Sequence, residues 1–201
     1  MNVARIGRWA IVAVVMLWVN ACATTMTTGT WKDKSYTGKI HEVLVIGLAS
    51  SDANRRIFED TLAKAFEKAG KKGIASNGLL PDTKKISKET VAPIVKEEGI
   101  DAVIVARVVS VNKEQRYVPN SYPSSYNTFY GYYDRVGPYY YEPGYYVQDT
   151  IVALEINLYD AKTGKIVWAI TTETISPDNV NKEIDKLASI IIGDLTKQGL
   201  M

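Results

Sequence analysis

The chain has 201 residues, of which 46% are hydrophobic and 23% charged, the balance of an ordinary globular protein, with length for one sizeable domain. It holds one His and one Cys, which excludes a Cys/His zinc site, a CxxC redox motif, a disulfide framework and any catalytic triad that does not use that single His. A formal charge of +2 is too small for a nucleic-acid-binding surface.

Residues 1–21 read as a signal peptide rather than part of a fold. Arg5 and Arg8 precede the apolar run Trp9–Val19, which is too short for a spanning helix of about 20 residues. The run ends in Val19-Asn20-Ala21-Cys22. This ending resembles the lipobox of bacterial lipoproteins, although Asn20 departs from the usual small residue. The resemblance implies cleavage before Cys22 and acylation, palmitate included, of that residue. Several acyl chains, at about 0.8 kcal/mol per buried CH₂, make anchoring stable. Removing the signal takes away Arg5 and Arg8 and leaves 22 basic against 22 acidic residues, so nucleic acid drops out as a partner. By resemblance to lipoprotein sorting signals, Ala23 implies the outer membrane, with the domain facing the periplasm. Residues 22–40 are Thr-rich, lack a sustained apolar period and read as a flexible tether. Trp31 and Tyr36 either pack on the domain or sit at the lipid interface.

Residues 41–201 are expected to form a single α/β domain. His41–Leu48 is a buried strand. Ser50, Ser51 and Asp52 offer caps for a helix to about Lys68, with Phe58, Leu62, Ala65, Phe66 and Ala69 at helical spacing and Gly70 at its end. Arg55 and Glu59, like Arg56 and Asp60, are four apart and read as a solvated face with weak ion pairs. Ile74–Ser76 is a short second strand. Ser87–Glu98 is a second helix: either Thr90 is its cap and Pro93 lies in the first turn, or Pro93 kinks it. Ile100–Val111, apolar on both faces, reads as a central strand.

Thr150–Tyr159 follows, with Val152, Leu154, Ile156 and Leu158 on one face. Lys165–Ile175 places Ile166, Trp168 and Ile170 together. The loop between them puts Gly164 at a left-handed position. Ser176-Pro177 suits a helix start, and Val180, Ile184, Leu187, Ala188, Ile191 and Leu195 form the last helix's buried stripe. Right-handed crossovers and a final meander predict a mixed five-stranded sheet, order 2-1-3-4-5, with three helices packed on it.

Several segments together carry a wider resemblance: the lipobox, the Thr-rich stretch, Arg55-Arg56-Ile-Phe-Glu-Asp60, Asp101-Ala-Val-Ile-Val105 and Leu158–Trp168. They resemble a family of small bacterial lipoproteins over nearly the whole chain. The element order is also similar to that of the amino-terminal domain of TolB, of CsgG and of LpoB. These motifs imply fold rather than chemistry.

Residues 117–146 form a tyrosine-rich hairpin insert holding 11 of the 13 tyrosines, with four prolines and three glycines. Tyrosine gives large amphipathic contact area at low entropy cost. Tyr126, Tyr130, Tyr132, Tyr133, Tyr139 and Tyr140 are the candidate interaction residues, for an envelope protein or a glycan; a mobile tip that binds nothing is the plainer alternative. Ser51, Arg55 and Arg56, at the start of the first helix and at the sheet's switch point, form a candidate anion site.

No nucleophile–base pair is present. Glu59-Asp60 and Glu97-Glu98 diverge by about 100° on their helices, and His41 lies at a strand edge, so the chain reads as no enzyme, with no metal and no cofactor. Two functions remain. One is a lipid-anchored periplasmic adaptor or binding protein acting through the Tyr-rich loop. The other is a self-assembling structural subunit at the outer membrane, similar to CsgG, and so a homo-oligomer.

Overall fold

The computed structural model describes residues 24–80, 86–119, 130, 144–177 and 179–201. The expected signal peptide and Cys22 lie outside them. Among the described residues six strands form one mixed sheet, accompanied by three α-helices. The strands are β1 (Thr24–Lys32), β2 (Glu42–Leu48), β3 (Lys72–Ala75), β4 (Ala102–Val118), β5 (Tyr145–Asp160) and β6 (Ile166–Ile175). The helices are α1 (Asp52–Lys68), α2 (Lys88–Glu97) and α3 (Val180–Lys197).

The sheet order is β1-β6-β5-β4-β2-β3, which corrects the expected five strands and their order. The difference comes from the Thr-rich segment. It is no tether over 24–32 but an edge strand, antiparallel to β6 from Thr24↔Ile175 to Lys32↔Trp168. Threonine is β-branched and fits a pleated surface, and its hydroxyls supply cross-strand bonds. Thr28 donates across the strand pair to Thr171 Oγ1 at 3.0 Å, while Thr30 donates to Asp194 at 3.0 Å and Thr25 to Glu183 at 2.8 Å, both on α3. The domain therefore starts before residue 41. Tyr36 packs on the core, whereas Trp31 is exposed. β2 pairs in parallel with β3 and β4, and β4, β5 and β6 form an antiparallel meander.

The larger core lies between one sheet face and the helices α1 and α3. Val43 and Val45 of β2, Ile104 of β4, Ile156 and Leu158 of β5 and Trp168 and Ile170 of β6 meet Phe58, Leu62 and Phe66 of α1 and Leu187, Ile191 and Leu195 of α3. On the opposite face α2 covers Leu44, Ile46 and Ile100 through Val91, Ile94 and Val95.

α1 begins as its sequence predicts, with Ser51 as cap accepting from Asn54 N at 3.4 Å, and Gly70 follows it at φ +78°. α2 is capped by Ser87, with Thr90 inside the first turn accepting from Ser87 N at 2.9 Å; Pro93 therefore lies in the helix interior, beyond the first turn. α3 is capped by Asn179, not by Ser176, whose φ of +47° breaks the chain direction, and Val180 at its start is exposed. Ile166 also departs from expectation. A register shift between Leu158 and Tyr159 brings Val167 inward beside Trp168 and leaves Ile166 exposed.

Candidate functional site

Two features lie at the end of the sheet where β2 finishes and β4 runs on. The first is a cavity of about 290 Å³ between the end of β2, the middle of β4 and the amino-terminal turns of α1 and α3. Its walls are mainly apolar: Leu48, Phe58, Val108, Val152, Leu154, Ile184 and Leu187 all line it. Its charged neighbours are committed elsewhere. Glu183 accepts from Thr25 at 2.8 Å and from Lys186 at 3.0 Å. Arg107, on the rim, donates to Glu155 at 2.5 Å. Together with the hydrogen bond from the Asn157 amide, that contact holds the Glu155 carboxyl below the usual glutamate range; the Asn157 bond is the larger cause.

Of the expected anion-site residues the structure brings two together and leaves Arg56 apart. Ser51 and Arg55 both reach this cavity. Arg55, however, is only 2% exposed and its guanidinium is occupied. Its Nε donates to Glu59 Oε1 at 2.9 Å, and one terminal nitrogen donates to Ser76 Oγ at 3.1 Å and to Leu80 O at 2.6 Å. Glu59 is 0% exposed and takes the Gly47 N–H at 2.9 Å, a donor an anion would need. Arg55 is therefore committed to a carboxylate of this chain. Arg56 turns to solvent and pairs with Asp52 at 2.9 Å. The four-residue spacing of Arg55 and Glu59 thus lies on a buried face, which corrects the reading of it as solvated. Spacing alone cannot tell the two apart, because which side of α1 meets the sheet is decided by Phe58, Leu62 and Phe66.

The second feature is an arm. β4 and β5 pair without a break from Ala102↔Asp160 to Val118↔Tyr145, apart from a bulge between Val108 and Ser110. β6 accompanies β5 only as far as Ile151↔Ile175. Beyond it Ser176 N donates to Thr150 O at 2.7 Å, and from Gln148 outward the two strands pair only with each other. The expected central strand is therefore central only near its start. It is buried at Ala102, Ile104 and Ala106, but Val108, Val109 and Val111 are exposed, Val111 by 58%.

Along the arm the side chains change character. Its inner rows carry Lys113, Glu114, Arg116 and Asp149, with Arg116 and Asp149 paired at 3.3 Å. Its outer rows are Tyr117↔Tyr146 and Val118↔Tyr145. The rings of Tyr117 and Tyr146 lie 5.3 Å apart and tilted by 57°, and Tyr146 is 69% exposed. The Tyr117 hydroxyl accepts from Gly144 N at 3.1 Å. These four outer residues fall inside the expected insert, so its ends are strand. Of the tyrosines singled out from the sequence, Tyr130 is exposed; Tyr126, Tyr132, Tyr133, Tyr139 and Tyr140 lie outside the described residues. The signal that could have revealed the arm was the absence of Gly and Pro in Asn112–Arg116, so that no turn residue breaks the strand between Val111 and Tyr117.

Among the described residues no group of three or more His, Cys, Asp or Glu side chains is placed to hold a metal. No described helix is long and apolar enough to cross a membrane.

No protein-family model matches the chain, and no curated protein matches it in sequence. Solved structures with a similar trace include the PelC dodecamer from Paraburkholderia phytofirmans, 12% identical over 85% of this chain and 95% of that one, with a TM-score of 0.44. They also include lipoprotein GNA1162 from Neisseria meningitidis, at 15% identity over 78% and 99% and a TM-score of 0.38. A minor lipoprotein from Acinetobacter baumannii is 12% identical over 80% and 96%, with a TM-score of 0.29. At these identities and scores the likeness is one of trace, and function has to be argued from this chain's own residues.

Proposed function

We propose that this chain is a lipid-anchored binding protein of the cell envelope. Cys22 holds it in the outer membrane with the domain in the periplasm, and the β4–β5 arm with its tyrosine-rich insert makes the contacts. The observation that carries this reading is the arm itself. Two strands of 17 and 16 residues outrun their sheet and end in exposed tyrosines at the base of a segment that holds most of the chain's tyrosine. A two-stranded ribbon is marginal by itself, so length beyond the sheet adds little stability and suits presentation of a surface. Exposed clustered aromatic side chains usually mark an interaction site. The activity proposed is therefore binding.

Two measurements test it. Metabolic labelling with a fatty-acid analogue should label the wild type and not Cys22→Ser; equal labelling would remove the anchor. Replacing residues 121–144 by a short Gly/Asn turn should leave the melting transition intact and remove crosslinked envelope partners or binding to envelope glycan. Loss of a defined oligomeric mass in that variant, with partners unchanged, would favour the self-assembling subunit instead. No change in partners, glycan binding or mass would remove the binding role of the insert.

A further inference from the structure

The register of the sheet fixes where the anchor lies relative to the arm. Thr24, Ile175, Ile151 and Asn112 form one row across β1, β6, β5 and β4. Cys22 is two residues before Thr24, so it lies within about 7 Å of that row. The arm leaves the same row on the side from which the chain enters β1. It continues for six further pairs, Lys113↔Thr150 to Val118↔Tyr145. At about 3.4 Å per residue its end lies about 20 Å beyond the row, and so about 13 Å or more beyond the furthest level Cys22 can reach along the strand direction. Three strand spacings, about 14 Å, separate β1 from β4. The expected 19-residue tether would have allowed the domain to stand away from the membrane. An edge strand that starts two residues after Cys22 does not.

We propose that the end of the β4–β5 arm, with Tyr117, Val118, Tyr145 and Tyr146, lies in the interface of the same membrane that holds Cys22. The inference rests on Cys22 being the lipid anchor and names the first surface the arm meets. The side chains are ordered for that placement. The charged residues lie in the inner rows: Lys113, Glu114 and Asp149 within about 7 Å of the Asn112 row and Arg116 about 14 Å beyond it. The tyrosines lie in the two outermost rows, Tyr117 directly after Arg116. Tyrosine rings concentrate at the membrane–water boundary, where the ring meets apolar chains and the hydroxyl stays wet. With the sheet upright, the tip passes through the headgroup layer; with the sheet tilted, the arm lies along it. Both arrangements bring the outer tyrosines against lipid.

The test uses the full mature lipidated protein in vesicles of phosphatidylethanolamine and phosphatidylglycerol. Acylated Cys22 offers no free thiol, and the chain has no other Cys, so an introduced cysteine is the sole labelling site. Tyr145→Cys carries an environment-sensitive fluorophore at the arm's end, and Lys162→Cys carries it at the opposite end of β5. Tyr117→Cys, on the partner strand, is a second arm position should the first perturb folding, with circular dichroism as the check. Acyl chains brominated near the headgroup should quench most of the emission at residue 145 or 117 and leave that at 162 almost unchanged. Vesicle flotation separates the two ideas. A protein that does not float overturns the anchor and this inference together. A protein that floats with equal quenching at all positions overturns this inference and leaves the anchor standing.

Discussion

Arg55 and Glu59, one helical turn apart on α1, form a buried ion pair with Nε 2.9 Å from Oε1. The pair is tied into its surroundings. Glu59 Oε1 also accepts from Gly47 N in β2 and from Ser76 Oγ after β3, so one carboxylate oxygen joins the first helix to two strands. Removing one partner of such a pair leaves the other charge buried without compensation.

Glu59→Ala should therefore destabilise the protein by about 3–5 kcal/mol, and Arg55→Ala by a similar amount. Arg56→Ala, one residue along on the solvent side, should leave the midpoint of urea unfolding unchanged. Equal midpoints for Glu59→Ala and the wild type would mean that the pair contributes nothing.

Trp168 is fully buried, and its indole N–H donates to Asp194 of α3 at 2.7 Å. Trp168→Ala should cost about 3–5 kcal/mol through the cavity it leaves. Trp168→Phe keeps much of the apolar volume and loses the bond to a charged group, at about 1.5–3 kcal/mol. Urea titration of both variants separates packing from hydrogen bonding. A loss below about 1 kcal/mol in the alanine variant would contradict burial.

Gly73 in β3 is required by the close approach of α1. A Cβ at this position would stand 2.3 Å from the backbone oxygen of Ala63. That neighbour is main chain and cannot rotate away. Gly73→Ala should lower stability by about 1–3 kcal/mol through forced backbone movement. Gly78→Ala, with nothing within 4 Å of the added carbon, is the matched control.

Native-state hydrogen exchange should divide β4 in two. Amides at Val103–Ala106, inside the sheet, should exchange only with global unfolding. Amides at Lys113–Tyr117, held by one partner strand, should exchange much faster through local opening. Uniform protection along β4 would show that the arm is stabilised by something other than β5.

Asp160 caps the turn between β5 and β6, accepting from Thr163 N and Oγ1 at 2.7 Å each. Burial works against its ionisation, but the Thr163 bonds and the Lys162 backbone outweigh burial and hold the carboxyl below the usual aspartate range. A lowered folded-state pKa contributes stability above the unfolded value of about 3.9, and that contribution is lost as pH falls through the folded pKa. The melting temperature should drop as pH falls below about 4, and Asp160→Asn should remove part of that drop. An identical acid profile in the variant would show that other carboxylates carry it.

The sequence by itself determined the local elements. Apolar runs at period two or 3.6 with punctuating glycines marked α1, β2 and β6, because those patterns are fixed by backbone geometry. Ser51 at the start of α1 and Gly164 at φ +68° were legible for the same reason, each being a demand of one turn. What the tertiary structure decided was where those elements meet. Thr24–Lys32 has no core-facing apolar stripe, and it is a strand because β6 leaves an unpaired edge and α3 offers Glu183 and Asp194 to its hydroxyls. The four-residue spacing of Arg55 and Glu59 is the same on a wet or a buried face; Phe58, Leu62 and Phe66 turn that face to the sheet, where Gly47 and Ser76 complete the buried pair. Thr24 and Asn112, at the base of the arm, are 88 residues apart in the chain. They share one end of the domain because four strands in fixed register bring Thr24 and Asn112 into a single row, a relation set by long-range pairing that no local window of the sequence contains.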